Sequence, residues 1–390
     1  MATGQYLAEL AATLAEKGHE VTVVTGRRAY DNPDRLFSVR ETWRGVRIVR
    51  ISSTRFGKKA KWRRAGNFAS YIVNCCIRLA FLPRHDVVVA LTTPPLISFV
   101  GAWRAKLWRA NFCYWVMDMN PDEAIAAGWL RADSFTGKAL ERMSRFSFRR
   151  AGRIIALDRF MRDRIIAKGI ARDKIVVIPP WSQDADVRFD VAGREQFRKA
   201  HGLQDKFVVM YSGNHSPVHP LETLMLAAER LKNDPSIVFC FIGGGSEFKR
   251  VQNWAEAGKR ANILCLPYQP LSQLSASLSA ADAHAVVMGD AMLGLVHPCK
   301  IYNILSVAAP IIYIGPKPSH VTEILDQLGH EYPSIRVAHG EADILAKQIQ
   351  VLQQKKAGVR RPLSKEDSAA FSKNVLLPKL IGVLEDPRDG

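Results

Sequence analysis

Short apolar runs rich in β-branched residues alternate with helical patterns along nearly the whole chain, and this alternation narrows the possible folds more than any other feature. Strands are predicted at 20–25, 46–51, 86–91, 111–116, 153–157 and 174–179, then at 207–212, 237–242, 262–266, 283–288, 310–314 and 334–337. Strands separated by helices imply right-handed crossover units and parallel sheets. With 390 residues the chain is too long for one such core, so two α/β domains are expected. Pro179 and Pro180 stop the sixth strand, and the stretch up to Arg194 is polar and poorly periodic. The boundary is therefore set near Ser182.

The second series opens on its clearest unit. The apolar run from Phe207 to Tyr211 ends in a Ser-Gly-Asn turn, after which Leu221, Leu224, Ala227 and Leu231 recur at helical spacing. In an open parallel sheet the crevice at the carboxyl ends of the strands takes ligands, and the start of the following helix favours phosphate. A phosphorylated ligand is one reading of this turn; a structural strand-to-helix connection is the other. Gly243, Gly244 and Gly245 pose the same choice between a tight turn and a ligand cradle.

Composition suits a soluble enzyme, with 47% hydrophobic and 24% charged residues and no apolar run long enough to span a bilayer. The first residues form an amphipathic helical pattern without the basic start and apolar core of an export signal, which predicts a cytoplasmic protein. Six cysteines in apolar contexts without metal-ligand spacing are expected to be reduced and buried, and no metal is expected. The net charge of +18 and pI near 9.8 call for a partner or a surface role. Arg55, Lys58, Lys59, Lys61, Arg63 and Arg64 precede the apolar stretch 68–83, and Arg104, Lys106 and Arg109 flank Trp103 and Trp108. Basic residues beside amphipathic aromatic segments suit an anionic membrane surface, where each charge contributes about 1 kcal/mol. A solvated basic face is the alternative. Nucleic acid is not expected, because no helix-turn-helix, zinc module or aromatic RNA-binding signature is present.

Eight segments in order then carry a resemblance: ATGQYLAELAATLAEKGHEVTVVTG from Ala2, LTTPPL from Leu91, YWVMDMNPDEAIAAG from Tyr114, IVVIPPW from Ile175, YSGNHSP from Tyr211, FIGGGSE from Phe241, LPYQP from Leu266 and GLVHPCKIYNIL from Gly294. Together they resemble the retaining nucleotide-sugar glycosyltransferases of family four, which have the GT-B fold, and within them the colanic-acid and O-antigen enzymes. The resemblance implies two Rossmann-like α/β domains with parallel sheets facing across a cleft. Residues 1–181 would bind a lipid-linked saccharide acceptor, residues 182–365 the nucleotide-diphosphate sugar, and the C-terminal stretch 366–390 would cross back onto the first domain. Phe371, Val375, Leu376, Leu380 and Val383 supply an apolar helical stripe for that return.

Such an enzyme must stabilise a nucleoside diphosphate leaving group while an acceptor hydroxyl attacks the anomeric carbon. The resemblance and the local pattern make Lys300 the leading group for the diphosphate, with Gly294, Leu295 and Val296 before it and the helix 301–307 beside it. Gly213 and Asn214 would bring backbone close to the phosphates, with His219 in reach and Gly243 and Gly244 nearby; Tyr268 and Gln269 match the segment that contacts the base. Thr3 and Gly4 match the end of a first-domain loop that faces the substrate. Asp118, after a buried strand, would orient or deprotonate the acceptor; helix capping by the neighbouring Asn120 or Asp122 is the alternative. No protein nucleophile is nominated, because retention in this family is ascribed to same-face attack assisted by the leaving phosphate. The nucleotide sugar is a substrate, so no cofactor is expected.

Two departures stand out. The family's paired glutamates are replaced by Leu295 and Asn303, with Pro298, Cys299 and Lys300 between them. The family's first strand has no counterpart before Ala2, which leaves an inactive remnant as one alternative and a sugar-nucleotide epimerase of similar fold as another.

Overall fold

The computed structural model describes residues 2–28, 35–54, 61–182, 187–355 and 360–386. Of the basic cluster, Arg55, Lys58 and Lys59 lie outside the described residues, as do the side chains of Lys61, Arg63 and Arg64. In the first half β1 (Thr22–Gly26), β2 (Arg40–Trp43) and β3 (Val46–Ile51) form a sheet in the order β1-β3-β2. A second sheet, in the order β4-β5-β6-β7, contains β4 (Val87–Ala90), β5 (Asn111–Trp115), β6 (Arg153–Ala156) and β7 (Ile175–Val177).

The two sheets do not join. Among the described residues β1 pairs only with β3, and β4 only with β5. The consequence appears in their burial. β6 is buried throughout, whereas the equally apolar Val23, Val24, Val87, Val88 and Val89 are only partly buried. β2 corrects the expectation of purely parallel sheets, since it runs antiparallel to β3. Its sequence, Arg-Glu-Thr-Trp, is exposed at all four positions and offers no apolar run to read. The turn into β3 is set by Arg44 and Gly45 at φ 47° and 77°, a left-handed pair that matches strand twist.

In the second half β8 (Phe207–Asn214), β9 (Ile237–Gly244), β10 (Ile263–Leu266), β11 (Ala283–Val287), β12 (Ile311–Ile314) and β13 (Ser334–Val337) form one parallel sheet in the order β10-β9-β8-β11-β12-β13. The chain winds outward from β8 through β9 and β10, then returns to its other side for β11. That reversal puts a switch point between the carboxyl ends of β8 and β11, where such sheets bind ligands.

The halves are joined twice at one place. The Ser182 amide and hydroxyl both donate to the Phe371 carbonyl, at 2.8 and 3.0 Å, so the outgoing and returning chain cross side by side. Phe371 still belongs to the core of the second half. Beyond it the helix Lys373–Glu385 buries Leu376, Leu377, Leu380 and Ile381 in the core of the β4-to-β7 sheet, together with Tyr6 and Leu10 of the first helix, Ala2–Glu16. No helix among the described residues is long and apolar enough to cross a membrane.

Candidate active site

Glycines shape the floor at the switch point. Gly213 and Gly243 face each other across β8 and β9 at φ 137° and 140°, and a Cβ on Gly243 would stand 2.0 Å from the Gly213 carbonyl oxygen. Only glycine permits both the backbone and the approach. On the other side of Gly213, a Cβ would lie 3.3 Å from Lys300 Nζ, so its absence leaves room for the ammonium. Lys300 opens the helix Lys300–Ser306, and its Nζ sits 3.5 Å from the centre of the Tyr211 ring. The ring face is the attraction available to it: the ammonium is buried and has no hydrogen-bond acceptor among the described residues. Burial pushes it down to about 7.

Two imidazoles complete this pocket. His215, fully buried between Tyr211 and Phe248, donates Nδ1–H to the Gly213 carbonyl at 3.0 Å and leaves Nε2 without a partner. His219 leaves Nδ1 without a partner. Burial, reinforced by the Lys300 charge, pushes His215 down to about 4 and His219 to about 3, so both are neutral near pH 7. The site thus holds one ammonium lacking an acceptor and two imidazole nitrogens lacking a donor. A ligand that carries both anionic oxygens and hydroxyl groups satisfies all three.

At the rim, Asn214 is exposed, and its carbonyl accepts the Tyr211 hydroxyl at 2.8 Å. Gly244 lies under the Tyr268 ring, 56% exposed, which a Cβ there would meet at 3.0 Å. Gln269 folds its amide onto the Pro267 carbonyl at 2.9 Å, and Asn303 lies one helical turn beyond Lys300.

The segment before Lys300 is occupied differently from the expected diphosphate cradle. Gly294, at φ 72°, lets the loop touch the first half, since a Cβ there would stand 2.7 Å from the Phe160 carbonyl oxygen. Leu295 inserts its side chain into the core of the first half, and its carbonyl accepts the Met119 amide at 2.8 Å. Val296 packs into the second-half core. Both of their amides already donate to the Met292 carbonyl, at 2.9 and 3.2 Å, which leaves neither for a ligand in this arrangement. The helix amides at Ile301 and Tyr302 are likewise engaged, by Pro298 and Cys299.

His297 continues this bridge. Its Nδ1–H donates to Asp158 Oδ2 at 2.7 Å and its Nε2 accepts the Tyr302 hydroxyl at 2.8 Å. Asp158 is also the cap of the helix Arg159–Ala167, accepting the Met161 amide at 2.7 Å. Burial alone would raise this carboxyl, but His297, His320 and the amide hold it down at about 2. Asp158, His297 and His320 bring three ligand-type atoms within 4.8 Å of one another. With both His297 nitrogens already bonded, Asp158 and His297 form a hydrogen-bonded link between the halves, and the His320 ring stacks on His297 at 3.8 Å. Sequence reading missed this link because the partners are 139 residues apart; it also missed His215, which directly follows the Ser-Gly-Asn turn.

On the first-half side, Asp118 follows β5, and its amide donates to Thr92 Oγ1 at 3.3 Å. Burial pushes its carboxyl up to about 6, partly offset by His297, and pushes Glu123 up to about 7 with help from Asp118. Thr3 and Gly4 lie in the first turn of the Ala2–Glu16 helix, with open space around Gly4. Tyr6, on the next turn, donates to the Trp181 carbonyl at 3.1 Å and is near enough to Cys299 for that thiol to add to the rise in its pKa. Asp118 and Lys300 therefore flank the 295–299 bridge from opposite halves.

Known proteins resemble both halves. Residues 2–181 match the family described as a glycosyl transferase 4-like domain, and residues 193–297 match glycosyl transferases group 1. The putative colanic acid biosynthesis glycosyl transferase WcaI of Escherichia coli K12 is 27% identical over 363 residues, covering 86% of this chain and 84% of that protein. Anabaena HepE, solved in complex with UDP and glucose, aligns over 88% of this chain and 87% of its own with a TM-score of 0.66 at 15% identity. WaaG, a glycosyltransferase involved in lipopolysaccharide biosynthesis, aligns over 97% and 95% with the same TM-score and identity. Neither comparison favours the epimerase alternative. Two glycosyltransferase families matched in order along most of the chain, on this fold, make it a member of the family-four type glycosyltransferases with the GT-B fold.

Proposed function

We propose that the protein transfers a sugar from a nucleotide-diphosphate sugar to a lipid-linked saccharide acceptor, with retention of configuration, during cell-surface polysaccharide synthesis on the inner face of the membrane. The observation that carries this reading is the buried Lys300 ammonium without an acceptor, set beside two imidazole nitrogens without donors at the switch point. A diphosphate answers the first and sugar hydroxyls answer the second. Relatives named for colanic acid and lipopolysaccharide synthesis support the polysaccharide setting, and the UDP bound in HepE makes uridine donors the first to test.

In this reading residues 182–365 hold the donor, with Lys300 balancing the charge that grows on the leaving diphosphate. Gly213 and Gly243 give the phosphates their approach, while Tyr268 and Gln269 border the base. Residues 1–181 and the returning 366–390 hold the acceptor, whose attacking hydroxyl Asp118 orients. The new bond between acceptor oxygen and anomeric carbon forms on the face where the bond to the phosphate oxygen breaks. The hydroxyl proton leaves with that oxygen, so the step is balanced without a protein nucleophile, a metal or a cofactor.

The basic and aromatic stretch of the first half supports peripheral attachment to an anionic membrane. From Arg55 to Arg109 eleven lysines and arginines stand against one acid, Asp86. A mass-spectrometric screen of UDP-, GDP- and dTDP-sugars with membrane extract tests the function. Donor-dependent labelling of a lipid-extractable glycan is expected, and donor turnover without any acceptor product would refute the transferase reading.

A further inference from the structure

The first half carries a groove lined by none of the residues of the candidate active site. Arg40 pairs with Val49 and Thr42 with Arg47, so these four side chains share one face of the β2–β3 hairpin. On the same strand Ile51 packs against Cys75 of the helix Lys61–Ala80, which brings the end of that helix over the hairpin. Arg78, Phe81, Leu82 and Pro83 make the opposite wall of a groove of about 490 Å³. Arg40, Arg47 and Arg78 thus converge from three elements, and none has an ion-pair or hydrogen-bonding side-chain partner among the described residues. The one acid at the groove, Glu41, is held by Arg50 at 2.6 Å. Beside it Val73, Ile77 and Phe81, four residues apart, form an apolar stripe that is 56, 53 and 81% exposed.

We propose that this groove seats the phosphate headgroup of an anionic bilayer lipid, with Val73, Ile77 and Phe81 lying at the boundary between headgroups and acyl chains. Guanidinium forks match phosphate oxygens, and three of them left without counter-charges are complementary to an anion. A soluble phosphoester would leave the neighbouring stripe in water; a bilayer covers both. The inference rests on the membrane-attached reading above and adds to it a defined ligand site.

The test is co-sedimentation with vesicles of phosphatidylcholine mixed with phosphatidylglycerol. The variant Arg40→Gln/Arg47→Gln/Arg78→Gln is compared with Lys199→Gln/Lys249→Gln/Lys347→Gln, which removes equal charge from exposed positions of the second half. The groove variant is expected to lose partitioning on the order of a hundredfold. The control should lose about threefold at most, since charges more than ~10 Å from the surface are screened. Phe81→Ser, which leaves every charge in place, should also lower partitioning. If the wild type ignores these vesicles, the membrane reading and the groove both fall. If the two triple variants lose equally, the groove falls and the membrane reading stands. Competition by free glycerol phosphate at equal phosphate concentration would assign the groove to a soluble ligand and overturn the proposal.

Discussion

In the second half six parallel strands pair without a break and every residue of β11 and β12 is buried, whereas in the first half β1 and β4, no less apolar, each keep one edge unpaired among the described residues and stay partly exposed. The sequence pattern is the same in both halves, so the difference lies in what each strand finds beside it. A parallel strand covered by helices needs two neighbours to satisfy its backbone, and an edge strand has one. The six-stranded sheet carries the Lys300 pocket at its switch point. In the first half Asp118 follows β5, within the four-stranded sheet.

The largest expected effect bears on the second half. Lys300→Ala should lower donor-dependent transfer by about tenfold to a thousandfold through lost charge stabilisation of the leaving diphosphate. Steady-state rates equal to wild type would remove Lys300 from the site.

The next bears on the first half. A strand added at the free edge of β1 or of β4 would satisfy its backbone groups, and each added hydrogen bond or buried apolar side chain contributes on the order of 1 kcal/mol. A form engineered to carry an apolar strand and a glycine loop ahead of Ala2 should therefore melt several degrees higher, aggregate less and turn over faster. Equal melting temperatures and rates for the two forms would mean that the edges are protected in some other way.

A smaller effect returns to the pocket floor. Gly213→Ala would put a Cβ 3.3 Å from Lys300 Nζ at φ 137°. About a tenfold loss of donor affinity is expected from the displaced ammonium and the strained backbone. Unchanged affinity by calorimetry would show that the phosphates sit elsewhere.

The smallest is one of stability. Lys300 has a folded pKa below its unfolded value, so its burial destabilises the protein wherever the unfolded chain holds the proton. The penalty is full below about 7 and fades toward the unfolded value of about 10.4. Lys300→Met should accordingly stabilise the donor-free protein by about 1–3 kcal/mol at pH 6 and by little at pH 10. Destabilisation at pH 6 would show that the ammonium has a partner.

How much of this was legible in the sequence follows the same divide. Every strand with an apolar run was readable, including β8, whose carboxyl end led to Gly213 and Lys300. β2 was not, because its four exposed residues lack that signal. Nor was the division of the first-half strands into two sheets, since periodicity marks a strand but says nothing of its neighbour. Gly294, Leu295 and Val296 read as a ligand cradle, and the first two also touch the first half. Their partners there include Phe160 and Met119, which only folding brings to that loop. His215 stands beside Lys300 for the same reason: three-dimensional neighbours carry no mark in a linear string.

Proton uptake on nucleotide binding tests the central claim most directly. At pH 8 a Lys300 ammonium held at about 7 is mostly neutral, and a diphosphate arriving beside it should raise its pKa. Calorimetric titration with UDP, with GDP and dTDP run alongside, in buffers of different ionisation heat, measures the protons taken up. Uptake approaching one proton per bound nucleotide is expected in the wild type, none in Lys300→Met, and an affinity that weakens as pH rises above about 7. Tight binding without proton uptake, or uptake that persists in Lys300→Met, would contradict it.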